Sequence, residues 1–472
     1  MIKFKFFKNS FIFTIFLYVV FPGWVLYFGT NLKIGYPRIL MLCLFVLLLL
    51  SKMDTLINDI KQLLKYKAIR FAILFTLWEL LALVLIFFTR GIFHISNLMN
   101  IFMRICGSLL VLYCSFYITK ETKISDIIKF LYIIIYSIII IGLIDFFAYF
   151  FNIVSIENIL EALINIRPVS KVFLGNIPRI QGCFDEPAYY AYFITLLLPL
   201  IYYYTNSKIK LLKNNYLNLI SKKTLPILAW LTLIGTQSPI FLIFAIIETY
   251  AYLLIKQKLS LKTILFYFFG SLLLVVVFII LFLHIDLSGT FLGRIQIVLK
   301  NITNYKTLIF VEGSLATRLC SYLNMLYIFF KYPLLGCGTG ELQNALIYQF
   351  LHSPIILTPE IASKILSDYP GINPSVFFGI LAEQGFIGLI LYFLIIFFTI
   401  KKSINISKYL SHQIANFIIG LVHVMCIFII LSFYDSYVYT PILWLIIGII
   451  YGFANKYNRT TMKGKPNENI NS

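Results

Sequence analysis

Apolar positions in this chain run continuously instead of alternating with polar ones. Uninterrupted apolar stretches lie near residues 11–28, 36–50, 71–88, 98–118, 125–151, 188–205, 224–236, 239–255, 262–284, 376–399, 413–431 and 438–455. A helix half-buried in a soluble core shows an apolar stripe at a period of 3.6 residues, and a half-buried strand a period of 2. Stretches of the present kind match a hydrocarbon layer roughly 30 Å thick, which a helix crosses in about 20 residues. They predict an all-α, polytopic integral membrane protein with about twelve transmembrane helices and both termini on one side.

Charge supplies the orientation. The chain has 472 residues, with 39 Lys and Arg against 19 Asp and Glu, a formal net charge of +20. A nucleic-acid binder carries such an excess on a wetted face, whereas here 60% of residues are hydrophobic and 12% charged. That composition excludes a soluble protein and argues for no nucleic-acid partner. The N-terminus, 51–70, 119–124, 206–223, 256–262, 400–411 and the polar tail 456–472 hold 25 Lys and Arg, against 12 in the opposite connectors. The positive-inside rule makes this Lys-rich set, with both termini, cytoplasmic, where it also meets anionic membrane lipids. Lys3, Lys5 and Lys8 precede the first apolar run as in a signal peptide, but no small-x-small cleavage site follows. An uncleaved first span is predicted.

The orientation depends on 224–255, where Gly235-Thr236-Gln237-Ser238-Pro239 interrupts an otherwise apolar stretch. Two short segments meeting at that break keep the basic connector 256–262 inside. Broken helices are tolerated at depth where protein or water satisfies the freed backbone groups, so the break implies a cavity beside it or a tilted hairpin.

Two outer loops stand apart, about 152–187 and about 285–375. The second is far longer than ordinary connections, and loops of that length are usually functional. Within it, Ala316 to Tyr332 reads as an amphipathic helix, followed by Gly336-Cys337-Gly338-Thr339-Gly340. Alternate glycines suit a tight turn or a close approach of the backbone. The run lacks the Lys-Ser/Thr of a phosphate-binding loop and follows no strand, which rejects a nucleotide site. Arg167, Arg179, Arg294 and Arg318 occupy these loops while Lys dominates inside. A guanidinium fork suits a diphosphate, although it can equally pair with a loop acid such as Glu312 or with lipid phosphate.

Asp185-Glu186-Pro187 opens the sixth apolar stretch, and either carboxylate can act as a base, orient a hydroxyl or cap the helix. Glu383 sits about seven residues into the tenth stretch. At that depth a carboxylate needs a partner, such as Arg318, or an aqueous cavity. Glu79, Arg104, Asp145 and Glu248 are further ionisable residues in apolar stretches and support a proton-coupled transporter as a rival reading. The five histidines and seven cysteines show no metal-ligand spacing, so no metal site or disulfide framework is expected. Of the histidines, His352 in the large loop is the one to test for catalysis, while His412 and His423 read as a surface and a core residue.

Four pieces recur in the order found in the O-antigen polymerase and O-antigen ligase superfamily of bacterial membrane glycosyltransferases. They are Arg179-x-x-Gly182-x-Phe184-x-Glu186-Pro187, the break at Ser238, Arg318 with Tyr332-Pro333-Leu334-Leu335-Gly336-Cys337-Gly338-Thr339-Gly340, and Asn373-Pro374-Ser375 running into Glu383-x-Gly385-x-x-Gly388. The chain resembles that superfamily over about 179–388. Ser238 precedes Pro239 where the family usually has Ser-Arg, and Asn373 stands where ligases carry a histidine, which favours a polymerase.

The resemblance implies a GT-C-like enzyme of the bacterial cytoplasmic membrane that needs no metal and no other cofactor. Its donor would be a growing glycan on undecaprenyl diphosphate, its acceptor one lipid-linked repeat unit, and its partners a chain-length regulator and a flippase of the same pathway. Arg179 and Arg318 would hold the diphosphate with support from Arg294, and Glu186 or Glu383 would act as base. Gly336, Gly338 and Gly340 would lie against substrate, with Asn373 beside it. An O-antigen ligase, or a lipid-linked oligosaccharide flippase, is the nearest alternative.

Overall fold

The computed structural model describes residues 9–10, 14, 25–28, 32–35, 56–90, 102, 106–156, 158, 173–174, 177–182, 184, 186–205, 207, 215–256, 296, 300–301, 304, 313–353, 357–366, 375–433 and 440–462. Among these the protein is all-α apart from two short antiparallel ladders, β1 (Val25–Phe28) with β2 (Leu32–Gly35) and β3 (Phe173–Leu174) with β4 (Ile177–Pro178). The first ladder corrects the end of the expected span at 11–28, whose last four residues are a strand; the rest of it, apart from Thr14, lies outside the described residues. Val25 and Tyr27 are good strand formers.

The helices are α1 (Lys67–Arg90), α2 (Val111–Glu121), α3 (Ile124–Phe150), α4 (Pro187–Thr205), α5 (Asn215–Gly235) and α6 (Pro239–Lys256), then α7 (Gly313–Lys331), α8 (Leu342–His352), α9 (Pro359–Leu366), α10 (Val376–Ser407), α11 (His412–Leu431) and α12 (Thr440–Met462). A π-helical turn, Cys106–Leu110, leads into α2. Among the described residues, four segments are long and apolar enough to cross a membrane: Lys67–Leu85, Ile124–Phe150, Val376–Ser407 and His412–Leu431. Ile240–Leu253 and Ile442–Tyr457 are shorter apolar helices. The apolar stretches 36–50 and 262–284 lie outside the described residues.

Exposure along these helices has a membrane character. On α1, Leu74, Leu77, Leu81, Val84 and Phe88 are exposed at alternating spacings of three and four, and Ile140, Ile144, Phe147 and Phe150 form a similar stripe on α3. An apolar stripe facing outward is expected of a helix whose solvent is lipid, and is rare at this length on soluble monomers. By contrast, α4 buries residues all round, from Tyr190, Tyr192 and Tyr204 to Ile194, Leu198 and Ile201, and is central among the described helices, packed by α5, α6 and α11.

Elsewhere α10 packs on α1, α7 and α11, and α12 packs on α2. The last contact depends on small residues. A Cβ at Gly448 would lie 1.9 Å from Ser115 Oγ, and one at Gly452 would lie 2.5 Å from Thr119 Cβ. Gly448-x-x-x-Gly452 is thus a small-residue face of the kind by which membrane helices approach closely. Beside it, Lys120 forms a buried ion pair of 2.6 Å with Asp59 of the helical segment 56–63.

The expected break after Gly235 is present, and α5 and α6 meet across Thr236-Gln237-Ser238, with Gln237 at φ 51°. The first of these helices is longer than its apolar part, because it begins at Asn215 in the polar connector and carries Lys222 and Lys223. In the large loop the amphipathic helix is α7. Its Ala316, Cys320, Met325 and Ile328 join Leu342, Leu346, Phe350, Ile361 and Ala382 in or around a second core, separate from that of the main bundle.

Candidate active site

The candidate residues lie at two interruptions of helical backbone, each closed by residues from elsewhere. The first is the α5–α6 break. The β3–β4 hairpin delivers Arg179, whose Nε–H donates to Thr236 O at 2.9 Å, while Nη2 donates to Gln237 O at 3.3 Å and Ser238 Oγ at 3.2 Å. Carbonyls at a helix C-terminus have no intrahelical donors and carry partial negative charge, so a guanidinium there is favoured.

The next residues are equally constrained. Ile180 N–H donates to Gly235 O at 2.8 Å, and the N–H groups of Gln181 and Gly182 both reach Asp145 Oδ2 at 2.9 Å. Gly182 has φ +58°, and Phe184 is buried against Tyr190 and Phe193. Asp145 of α3 therefore anchors this segment to the bundle. Glu186, exposed, directly precedes α4, and its carbonyl accepts from Tyr189 N at 3.1 Å in the first turn. Pro187 fits the first helical position, where no N–H is needed.

The second interruption lies within α10, at Gly385, with φ 68° and ψ −167°. Hydrogen bonds that a continuous helix would make are replaced from outside. Ala382 O accepts from Cys337 N at 2.8 Å, Glu383 O from Gly338 N at 3.0 Å, and Gln384 O from Trp78 Nε1 at 3.0 Å. In return, Phe386 N donates to Pro333 O at 2.8 Å. Backbone lies directly on backbone here. A Cβ at Gly336 would be 2.3 Å from Glu383 C, and one at Gly385 would be 2.3 Å from Leu334 O. Only glycine fits such an approach at positive φ.

Glu383 is fully buried, and its Oε1 accepts from Gly340 N at 2.5 Å. A carboxylate inside α10 is thus satisfied in part by a main-chain donor from the large loop, and the glycine run is what brings that donor near. The three glycines, read from sequence as a surface against substrate, lie against the chain's own broken helix. Glu341 follows, buried, with its Oε2 accepting from Asn344 Nδ2 at 2.9 Å. Arg318 is half-buried on α7, which reaches α10 through Tyr322 stacked on Phe378 at 4.9 Å.

The structure brings Gly336, Gly338, Gly340 and Glu383 together, and Arg179 to the Ser238 break. Arg294, Asn373 and Asp185 lie outside the described residues, as do Arg104 and Arg167. His352 is exposed at the end of α8, where its Nδ1 is 2.7 Å from Tyr348 O and its ring stacks on Tyr348, which makes it a helix-end residue. Glu79 accepts from Gln384 Nε2 at 2.8 Å, and Glu248 lies 3.8 Å from His423 Nδ1.

Sequence reasoning missed the part played by Trp78, Glu79 and Gln384. The signal present was the Gly385 that follows two polar residues in an apolar run. Compared with known protein families and with curated proteins, the chain matches none of them.

Proposed function

We propose that the chain is a polysaccharide polymerase of the bacterial cytoplasmic membrane. In this reading it crosses the membrane about twelve times, keeps both termini in the cytoplasm, and works at the outer face. It joins oligosaccharide repeat units carried on undecaprenyl diphosphate. The observation that carries the reading is the docking of the Pro333–Gly340 segment onto the broken turn at Glu383, which sets a carboxylate in a glycine-lined turn beneath a loop subdomain carrying Arg318. The basic Arg179 held at the Ser238 break supports it from the opposite loop.

In the reaction, the acceptor hydroxyl oxygen forms a bond to the anomeric carbon of the donor sugar as the bond from that carbon to the diphosphate oxygen breaks. The hydroxyl proton passes to a carboxylate, Glu383 or Glu186, and the diphosphate leaves with its electron pair. Arg318 and Arg179, with Arg294 in support, stabilise the charge that develops on the leaving group, as preorganised cations do in a water-poor site. Attack from the face opposite the leaving group inverts the anomeric centre.

Deletion of the gene followed by glycan analysis tests this. The expected result is surface acceptors carrying one repeat unit. Lipid-linked polymer that never reaches its final acceptor would mean a ligase, and lipid-linked units confined to the cytoplasmic leaflet would mean a flippase; either overturns the proposal.

A further inference from the structure

The broken turn of α10 is held from a third side. Gln384 follows Glu383 directly, and both of its ends are fixed by consecutive residues of α1. Its main-chain carbonyl accepts the Trp78 indole N–H at 3.0 Å, and its side-chain amide donates to Glu79 Oε1 at 2.8 Å. Gln384 and Glu79 are both buried. The next residue, Gly385, is the one whose φ of 68° leaves the helix. At such a point regular helical bonds no longer fix the rotation of the chain, so whatever grips Gln384 sets the direction of its neighbours.

Burying a carboxylate and an amide inside an apolar bundle is costly, and a plain aliphatic contact between α1 and α10 would avoid that cost. The polar pair is instead placed beside Glu383, whose carboxylate accepts from Gly340 N of the glycine loop. We propose that Trp78 and Glu79 form a clasp that positions Glu383 for glycosyl transfer. This rests on the reading of Glu383 as the carboxylate of the transfer site. Glu79 touches no reacting atom; it is a positioning residue that acts through Gln384.

The test uses the full chain, purified and returned to lipid, with a lipid-diphosphate-linked repeat unit as substrate and rates expressed per folded molecule. Glu79→Ala should lower kcat by roughly tenfold to a hundredfold with KM little changed, the scale expected when a reacting group is displaced by about 1 Å. Glu79→Gln should recover most of that rate, because its amide oxygen still accepts from Gln384. Gln384→Glu, which sets two carboxylates face to face, should be slow, and adding Glu79→Gln should restore it by reversing the hydrogen bond. Trp78→Phe should fall in the same direction as Glu79→Ala.

A merely structural contact would lower the folded yield and leave kcat per folded molecule untouched. If Glu79→Ala fails to fold, the Gln384→Glu variant and its rescue carry the test. Wild-type kcat in Gln384→Glu, with Glu383→Gln inactive, would overturn the clasp alone. Wild-type kcat in Glu383→Gln would overturn the reading of the site on which it rests.

Discussion

Gly336 lies on the Glu383–Gln384 backbone and Gly385 on the Pro333–Leu334 backbone, each so closely that it tolerates no side chain. Each is at positive φ, and each built Cβ falls 2.3 Å from a main-chain atom of the other segment. Gly336→Ala and Gly385→Ala should therefore each lose about 1–2 kcal/mol from left-handed backbone alone, with the clash added. Thermal unfolding in detergent should show both well below Gly107→Ala, where nothing lies within 4 Å of the added carbon. Equal melting temperatures in the three variants would refute the close approach.

At this scale the sequence was partly legible. Alternate glycines signal that a backbone comes near something, but their spacing is silent on what. The partner proved to be residues 382–386 of the same chain, and its own glycine is what makes the approach mutual. Glu383 stood out because a carboxylate in an apolar run needs a partner. The Trp78–Gln384 and Glu79–Gln384 contacts span 306 and 305 residues, and no local pattern encodes a pairing at that separation.

Among elements, the contact between α2 and α12 makes the most definite prediction. Gly448→Leu or Gly452→Leu would drive a side chain into Ser115 or Thr119, with an overpacking cost of roughly 1–3 kcal/mol. Both should lower the melting temperature, and wild-type stability in either would remove the small-residue contact from the account. The pair between α6 and α11 is a second case. Glu248 and His423 lie 3.8 Å apart, with Tyr203 of α4 packed on the imidazole. Replacing each by alanine, alone and together, should give a coupling of about 0.5–3 kcal/mol in unfolding free energy, and additive effects would mean that the two do not interact.

Most helices of the bundle were visible as apolar runs, including the break at Gly235 to Pro239. Their ends were less so. α5 extends back into a polar connector, because Asn215 to Lys223 satisfies its hydrogen bonds as helix despite its polarity. Val25–Phe28 pairs as a strand, since four apolar residues alone do not distinguish a short strand from the end of a helix.

For the whole molecule, orientation is the first consequence. If the Lys-rich connectors are cytoplasmic, a cysteine replacing the exposed Leu334 should react with a membrane-impermeant maleimide in intact cells. A cysteine replacing Lys401, exposed near the end of α10, should react only after permeabilisation. The reverse pattern would invert the topology and put the glycine loop on the wrong side for a lipid-linked substrate. Chain polymerisation itself is tested most directly by reconstitution. The purified chain in liposomes, given a defined undecaprenyl-diphosphate-linked repeat unit, should yield a ladder of products spaced by one repeat mass, and Glu383→Gln and Arg318→Ala should lose that ladder. No extension of the substrate by well-folded wild-type protein, or an undiminished ladder in both variants, would contradict the account.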